Sequence, residues 1–221
     1  MVELKLKSNE IKISPSILTA DFMNLGDVVK RLENSVDMLH FDVMDGLFVP
    51  NISIGLPVLK SVTAGTTLPL DVHLMIAKPQ NYIENFANAG ADIITIHFES
   101  NCDVSATLRQ IKNCGKLAGL AINPGTDIEK TFKYLDEIDM LLIMSVEPGF
   151  GGQKFIENAL EKIEKSRAEI NRRSLNISIQ VDGGINELWA QKVKTAGANI
   201  IVAGSYIINS ANMQGAIQSL R

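Results

Sequence analysis

The stretch of sequence around which the chain is organised reads His40-Phe41-Asp42-Val43-Met44-Asp45-Gly46. Side chains alternate between the two faces of a β-strand, so His40, Asp42 and Met44 share one face, and Phe41 and Val43 share the other. An imidazole and a carboxylate on one face indicate a metal site, a proton transfer site, or both. This strand is one of a series along the chain.

Eight apolar runs of strand length recur, and patterns of helical spacing separate them. The predicted strands lie at 11–18, 38–44, 70–75, 93–97, 117–122, 140–146, 177–181 and 200–203. Strictly alternating strands and helices predict a parallel sheet. Eight such units predict an α/β fold closed into a (β/α)8 barrel, a TIM barrel, with residues 1–221 as its single domain. A doubly wound open sheet is the alternative, but no G-x-G-x-x-G follows the first strand, which disfavours its dinucleotide-binding form.

Local signals agree with this alternation. Gly90, Gly115 and Gly197 each follow a helical pattern, at the position where a left-handed C-terminal residue belongs. The run from Thr126 to Glu129 reads as a capping box at the start of another helix.

Composition restricts the classes of function. The chain has 221 residues, of which 46% are hydrophobic and 21% charged, and both fractions are typical of a globular protein. A net charge of −4 gives no basic surface for nucleic acid. No apolar run approaches the roughly 18 residues of a membrane span, and the segment 1–12 lacks the apolar core of a signal peptide. We therefore expect no membrane partner, a cytoplasmic location, and free thiols at Cys102 and Cys114.

Polar residues concentrate at the ends of the predicted strands, where (β/α)8 barrels carry their chemistry. His40 and Asp42 end the second strand, His73 lies on the third, and Asp182 ends the seventh. Two imidazoles and two carboxylates suit Zn²⁺ or a similar divalent ion. A metal would also explain why two carboxylates converge in a small barrel mouth. The alternative is that each side chain only hydrogen-bonds a loop.

Three more polar residues lie at the ends of predicted strands, and we do not assign them to the metal site. We expect His97 to be a buried histidine that bonds a loop carbonyl rather than a metal ligand. Glu99 and Glu147 are expected to support the site or its loops rather than to catalyse.

Glycine clusters and methionines surround the same rim. Glycines let backbone N–H groups approach an anion, and barrels often bind phosphate after strands seven and eight, although ordinary turns are the alternative. The methionines are either core filler or a wall that shields a polar site. These residues are Gly149, Gly151, Gly152, Gly183, Gly184, Gly204 with Ser205, and Met44, Met75 and Met144.

Together, these segments resemble the ribulose-phosphate 3-epimerase family. The resemblance is carried by residues 14–22, 40–46, 48–51, 70–75, 123–126, 144–153, 181–185 and 202–205. It implies a (β/α)8 barrel that interconverts D-ribulose 5-phosphate and D-xylulose 5-phosphate, a step of the pentose phosphate pathway. Thr19, Asp127 and Tyr206 depart from the pattern, and none of these departures removes a chemical group.

The resemblance also implies roles for individual residues. His40, Asp42, His73 and Asp182 match the family's ligands to one divalent ion per subunit, Zn²⁺ or Fe²⁺, and Asp42 and Asp182 match its acid–base pair. A homo-oligomer is expected. The matching substrate-binding residues are Ser16, Met44, His73, Met75, Met144, Gly149, Phe150, Gly151, Gly152, Asp182, Gly183, Gly184, Gly204 and Ser205.

The chemistry that this implies is proton transfer at C3 through an enediolate, with one aspartate on each side of the sugar. Three alternatives stay open. An epimerase for a related ketose phosphate, such as allulose 6-phosphate, would use the same residues. A phosphate-binding lyase, decarboxylase or aldolase barrel would carry Asp-x-Lys-x-x-Asp, but Met44 stands at the lysine position after Asp42. A sugar-phosphate sensor would have no need of all four ligand residues.

Overall fold

The structure is a computed structural model that describes Leu6 and residues 10–221. Its strands are β1 (Lys12–Ser14), β2 (Leu39–Met44), β3 (Leu70–Met75), β4 (Ile93–His97), β5 (Leu117–Ile122), β6 (Met140–Met144), β7 (Ser178–Asp182) and β8 (Ile200–Val202). Its α-helices are α1 (Leu25–Leu32), α2 (Leu56–Gly65), α3 (Ile83–Asn88), α4 (Val104–Asn113), α5 (Ala159–Arg172), α6 (Glu187–Ala196), α7 (Ser205–Ile208) and α8 (Met213–Leu220). Short 3₁₀ helices cover Ile17–Thr19, Phe22–Asn24 and Pro79–Asn81, and a longer one covers Ile128–Glu137.

The strands form one parallel sheet that is nearly closed into a barrel. Their order is β1-β8-β7-β6-β5-β4-β3-β2, and every neighbouring pair is parallel. The gap between β1 and β2 is bridged because the Asp37 N–H donates to the Ile13 carbonyl at 3.0 Å and the His40 N–H donates to the Pro15 carbonyl at 2.9 Å. The predicted fold class is therefore confirmed.

Two local predictions are corrected. The first strand ends at Ser14 rather than residue 18, because the Ser16 hydroxyl accepts the Leu18 N–H and starts a 3₁₀ turn. The expected capping box is replaced by a cap at Asp127, whose carboxylate accepts the Glu129 N–H at 3.1 Å. The helix that follows is 3₁₀ rather than α-helical.

Inward and outward faces of the strands separate the core from the site. Outward residues such as Phe41 and Val72 pack against the buried faces of the helices and form the main hydrophobic core between the barrel and the helices. Inward residues at the N-terminal end of the barrel, including Met38, Ile93 and Met140, form a smaller apolar cluster that closes this end. The inward positions nearer the C-terminal ends are therefore left for polar groups.

Other predictions concern the rest of the chain. Cys102 and Cys114 are free thiols, as expected. Among the described residues, no helix combines the length and the apolar character that crossing a bilayer requires. The N-terminal segment used to predict location lies mostly outside the described residues.

Candidate active site

Four side chains from three strands meet at the C-terminal end of the barrel. His40 and Asp42 project from β2, His73 from β3 and Asp182 from β7. One ligand atom from each lies within 4.8 Å of the others. The parallel register places Asp42 directly beside His73. The four predicted ligand residues thus come together, although they lie far apart in sequence.

Each histidine turns one ring nitrogen toward the carboxylates. His40 Nε2 lies 3.3 Å from Asp42 Oδ1 and 3.8 Å from Asp182 Oδ2. His73 Nδ1 lies 3.1 Å from the same Asp42 oxygen. These inward nitrogens and oxygens form a compact set of donors for one cation.

The other nitrogen of His40 is held from behind. His40 Nδ1 lies 2.7 Å from Asp71 Oδ2, and the Gln180 amide donates to the same oxygen at 2.5 Å. Both partners are fully buried. A carboxylate here favours hydrogen on Nδ1, so a neutral His40 presents a free lone pair on Nε2.

His73 is backed by a second imidazole. His73 Nε2 lies 2.8 Å from His97 Nε2, and His97 Nδ1 lies 3.3 Å from Glu99 Oε2. The expectation that His97 bonds a loop carbonyl is therefore wrong, and its two partners are side chains. No spacing in the sequence pairs His97 with His73, because their contact depends on the register between β3 and β4.

The two site carboxylates differ in their affinity for protons. Burial raises the pKa of Asp182 to about 7, and the neighbouring Asp42 carboxylate adds to this. Burial also acts on Asp42, but His40 and His73 outweigh it and lower its pKa well below the usual range. One carboxylate therefore stays ionised while the other holds a proton until near neutral pH.

The two histidines also differ. Burial lowers the pKa of His73 to about 4, so this ring is neutral at physiological pH. Burial acts in the same direction on His40, but Asp42 and Asp71 outweigh it, and the pKa of His40 is raised well above 6.5. A divalent ion would suit this donor set, because its charge would replace the proton that His40 otherwise holds and would offset the repulsion between Asp42 and Asp182.

Ser16 completes the inner site. Its hydroxyl donates to Asp42 Oδ2 at 2.6 Å and accepts the Leu18 N–H at 3.2 Å. The 3₁₀ turn after β1 thus fixes the oxygen of Asp42 that faces away from His73.

A cleft opens above these groups. It is lined by every predicted substrate-binding residue except His73, which lies buried beneath it. Met44, Met75 and Met144 are buried and form part of the wall. Thr19 and Gln153 also line the cleft but were not predicted to do so.

The glycine loops have geometry that only glycine tolerates well. Gly183 and Gly184 have φ of +119° and +64°, and a Cβ at Gly184 would lie 2.4 Å from the Phe155 nitrogen. Gly149 and Gly152 also have positive φ. These backbones line the cleft closely, as an anion site requires.

A family model for ribulose-phosphate 3-epimerases matches residues 12–208. The chain belongs to the ribulose-phosphate 3-epimerase family. The curated ribulose-phosphate 3-epimerase of Bacillus subtilis is 46% identical over 213 residues, which cover 96% of this chain and 98% of the relative. That of Synechocystis is 47% identical over 219 residues, covering 97% and 94%. The predicted family and enzyme class are confirmed.

Solved structures resemble this epimerase-family chain in fold alone. A 3-hexulose-6-phosphate synthase has a TM-score of 0.71 at 17% identity and covers 95% of this chain and 98% of its own. KGPDC from Streptococcus mutans has a TM-score of 0.72 at 14% identity, with 96% of this chain and 95% of its own covered. The ribulose-phosphate 3-epimerase family thus shares its barrel with other enzymes, and function must be argued from the site.

Proposed function

We propose that this chain interconverts D-ribulose 5-phosphate and D-xylulose 5-phosphate by inverting C3. The observation that carries the proposal is the pair Asp42 and Asp182, two carboxylates with opposite affinities for protons at one cleft. The names of the curated relatives support the substrate.

Inversion requires proton removal on one face of the sugar and proton delivery on the other. Asp42 projects from β2 and Asp182 from β7, and β1 and β8 separate these two strands in the barrel. The ionised Asp42 accepts the C3 proton, and the protonated Asp182 donates to the opposite face. The reverse reaction exchanges the two roles.

We further propose that His40, Asp42, His73 and Asp182 hold one divalent ion, Zn²⁺ or Fe²⁺. When bound, this ion would act as a Lewis acid that stabilises the negative charge of the enediolate oxygens. Ser16 keeps Asp42 oriented through its 2.6 Å hydrogen bond. The three methionines restrict water near the reacting carbon.

The phosphate is assigned to the glycine loops. The backbones at Gly183, Gly184, Gly204 and Ser205 line the end of the cleft together with the loop 149–152. Binding energy gathered there orients the sugar without touching the reacting carbon. A cytoplasmic location and a homo-oligomeric state stay predictions.

The test is an assay with ribulose 5-phosphate after metal stripping and re-addition of Zn²⁺ or Fe²⁺. Stripping should abolish turnover and re-addition should restore it. Asp42→Asn and Asp182→Asn should each abolish epimerisation in the reloaded protein, whereas Asp103→Asn, at an exposed helix cap, should not. Near-normal turnover by either site variant refutes the two-aspartate assignment, and preferential turnover of allulose 6-phosphate refutes the substrate.

A further inference from the structure

The contact between His73 and His97 restricts where the hydrogens lie. Two ring nitrogens 2.8 Å apart can share one hydrogen, because two hydrogens would clash and two lone pairs would repel. Either His73 donates through Nε2 or His97 does. The choice matters because a neutral imidazole with hydrogen on Nε2 has its lone pair on Nδ1.

Two carboxylates compete to set this hydrogen, because Asp42 Oδ1 lies 3.1 Å from His73 Nδ1 and Glu99 lies at the other end of the pair. A cation bound at the cluster would take the Asp42 oxygen, so the choice then falls to Glu99. Its Oε1 accepts the Asn123 N–H at 2.9 Å, and its Oε2 faces His97 Nδ1 at 3.3 Å. A carboxylate only accepts hydrogen bonds, so it favours hydrogen on His97 Nδ1. A neutral His97 then has its lone pair on Nε2 and must accept from His73.

The consequence reaches the proposed metal site. His73 carries its hydrogen on Nε2, so Nδ1 presents a lone pair toward His40 and Asp42. This is the only neutral form of His73 that can bind a cation with the nitrogen that faces the cluster. We infer that Glu99 and His97 are positioning residues that fix His73 in its metal-binding tautomer, an inference that rests on the proposed function for the existence of the site.

Packing holds the relay formed by Glu99, His97 and His73 in place. His73 and His97 are fully buried and their rings stack with centroids 4.9 Å apart. The Phe48 ring covers His97 with its centroid at 4.7 Å. In the parallel register His73 pairs with Thr95, so His97 lies two residues further along β4 and reaches the outer edge of the His73 ring. Neither imidazole can rotate away without displacing its neighbours.

The outer end of the relay is anchored on a helix. Asn123, which donates to Glu99, begins the loop after β5. Lys162 of α5 donates from Nζ to the carbonyls of Asn123, Pro124 and Thr126 at 2.9, 2.6 and 2.6 Å. The carboxylate of Glu99 therefore has a rigid donor behind it as well as a ring in front.

The experiment measures Zn²⁺ affinity by competition with a chelator, using metal-free protein. Glu99→Gln keeps the shape of the side chain but loses the obligate acceptor, and His97→Leu removes the relay. We expect each to weaken Zn²⁺ binding by roughly 10- to 100-fold. His97→Gln can still offer a carbonyl oxygen to His73 Nε2, so we expect its affinity to lie closer to that of the unmodified protein.

Asp139→Asn is the matched control. Asp139 is as buried as Glu99, with 19% of its side chain exposed against 20%, and it also accepts a backbone N–H, from Ala118. It lies at the opposite end of the barrel, so its substitution should lower the free energy of unfolding without changing Zn²⁺ affinity. The absorption spectrum of the Co²⁺-loaded protein should change in His97→Leu and Glu99→Gln only.

Three results would overturn the inference. Unchanged Zn²⁺ affinity in Glu99→Gln and His97→Leu would show that His73 needs no relay, while leaving the proposed site intact. Equal losses in Asp139→Asn would show that general destabilisation is the cause. Absence of Zn²⁺ and Fe²⁺ binding by the unmodified protein would refute the proposed metal site itself, and the relay with it.

Discussion

Replacing Asp182 with asparagine should make the metal-free protein more stable relative to the unmodified chain as the pH rises. The pKa of Asp182 is raised from 3.8 to about 7, first by burial and then by the Asp42 carboxylate. The folded state therefore binds this proton more tightly than the unfolded state does. The resulting stabilisation is fully present below pH 3.8 and is lost as the pH rises through about 7.

The magnitude follows from the gap between the two pKa values. At ~1.4 kcal/mol per pH unit, the loss between about pH 5 and about pH 7.5 is roughly 2.5 kcal/mol. His40 and His73 also titrate in this window, because the ordinary histidine pKa of 6.5 in the unfolded chain lies within it, but both proteins contain them and their contributions cancel in the difference. The amide of the Asp182→Asn variant does not titrate, so the variant avoids the loss.

The assay is urea unfolding of both proteins at several pH values with a chelator present. The difference in the free energy of unfolding should grow by roughly 2.5 kcal/mol in favour of Asp182→Asn between about pH 5 and about pH 7.5. Saturating Zn²⁺ should reverse the order at neutral pH, because only the unmodified site has all four ligands. A difference that is independent of pH would refute the reasoning, since it would mean that Asp182 carries no raised pKa in the folded state.

Three further substitutions test other parts of the site. Ser16→Ala removes a 2.6 Å hydrogen bond to a carboxylate, worth about 1.5–3 kcal/mol, so kcat should fall roughly 10- to 100-fold in a steady-state assay. Ser16→Thr, which keeps the hydroxyl, should lose less, and an equal loss would contradict the role of the bond. Gly184→Ala places a Cβ 2.4 Å from the Phe155 nitrogen at positive φ, so KM should rise more than kcat falls, and an unchanged KM would count against the phosphate assignment. Lys162→Met leaves three carbonyls without their donor, so urea unfolding should show a loss of roughly 2–3 kcal/mol, and Lys165→Met, which removes only exposed ion pairs, should show little.

The alternation of the chain made the barrel predictable. Seven of the eight predicted strands end within two residues of the observed bounds, because buried parallel strands leave unbroken apolar runs. The first strand was predicted too long because Ile17 and Leu18, at its predicted end, are as apolar as the residues of a buried strand. The Ser16 hydroxyl, which turns the chain there, competes with the sheet through a hydrogen bond that spacing does not reveal.

The four residues of the candidate metal cluster were predictable for a related reason. Histidines and aspartates, which can all bind a divalent ion, stood at the ends of predicted strands, and a (β/α)8 barrel brings the ends of its strands together. His97 and Glu99 stood at a strand end too, but their partners depend on side-chain direction and register. His73 pairs with Thr95 of β4, and His97 lies two residues beyond Thr95. This placement is known only once the register of the two strands is known. Residues that support a site are therefore harder to find from sequence than residues that form it.

The protonation states of the site connect its stability to its chemistry. Near neutral pH the metal-free cluster holds a proton on His40 and, in part, one on Asp182. A divalent ion would displace the proton of His40, because an imidazole nitrogen binds a cation only through a free lone pair. Asp182 has two carboxylate oxygens, so it could help hold the ion and still carry a proton. The raised pKa of Asp182 thus has one consequence for stability and another for catalysis. It records the cost of burying a second carboxylate beside Asp42, and it leaves that carboxylate able to exchange a proton at physiological pH, which is the property that inversion at C3 demands. The Asp182→Asn variant, which buries no second carboxylate, should therefore have a higher free energy of unfolding near neutral pH in the metal-free protein and should be unable to deliver the proton.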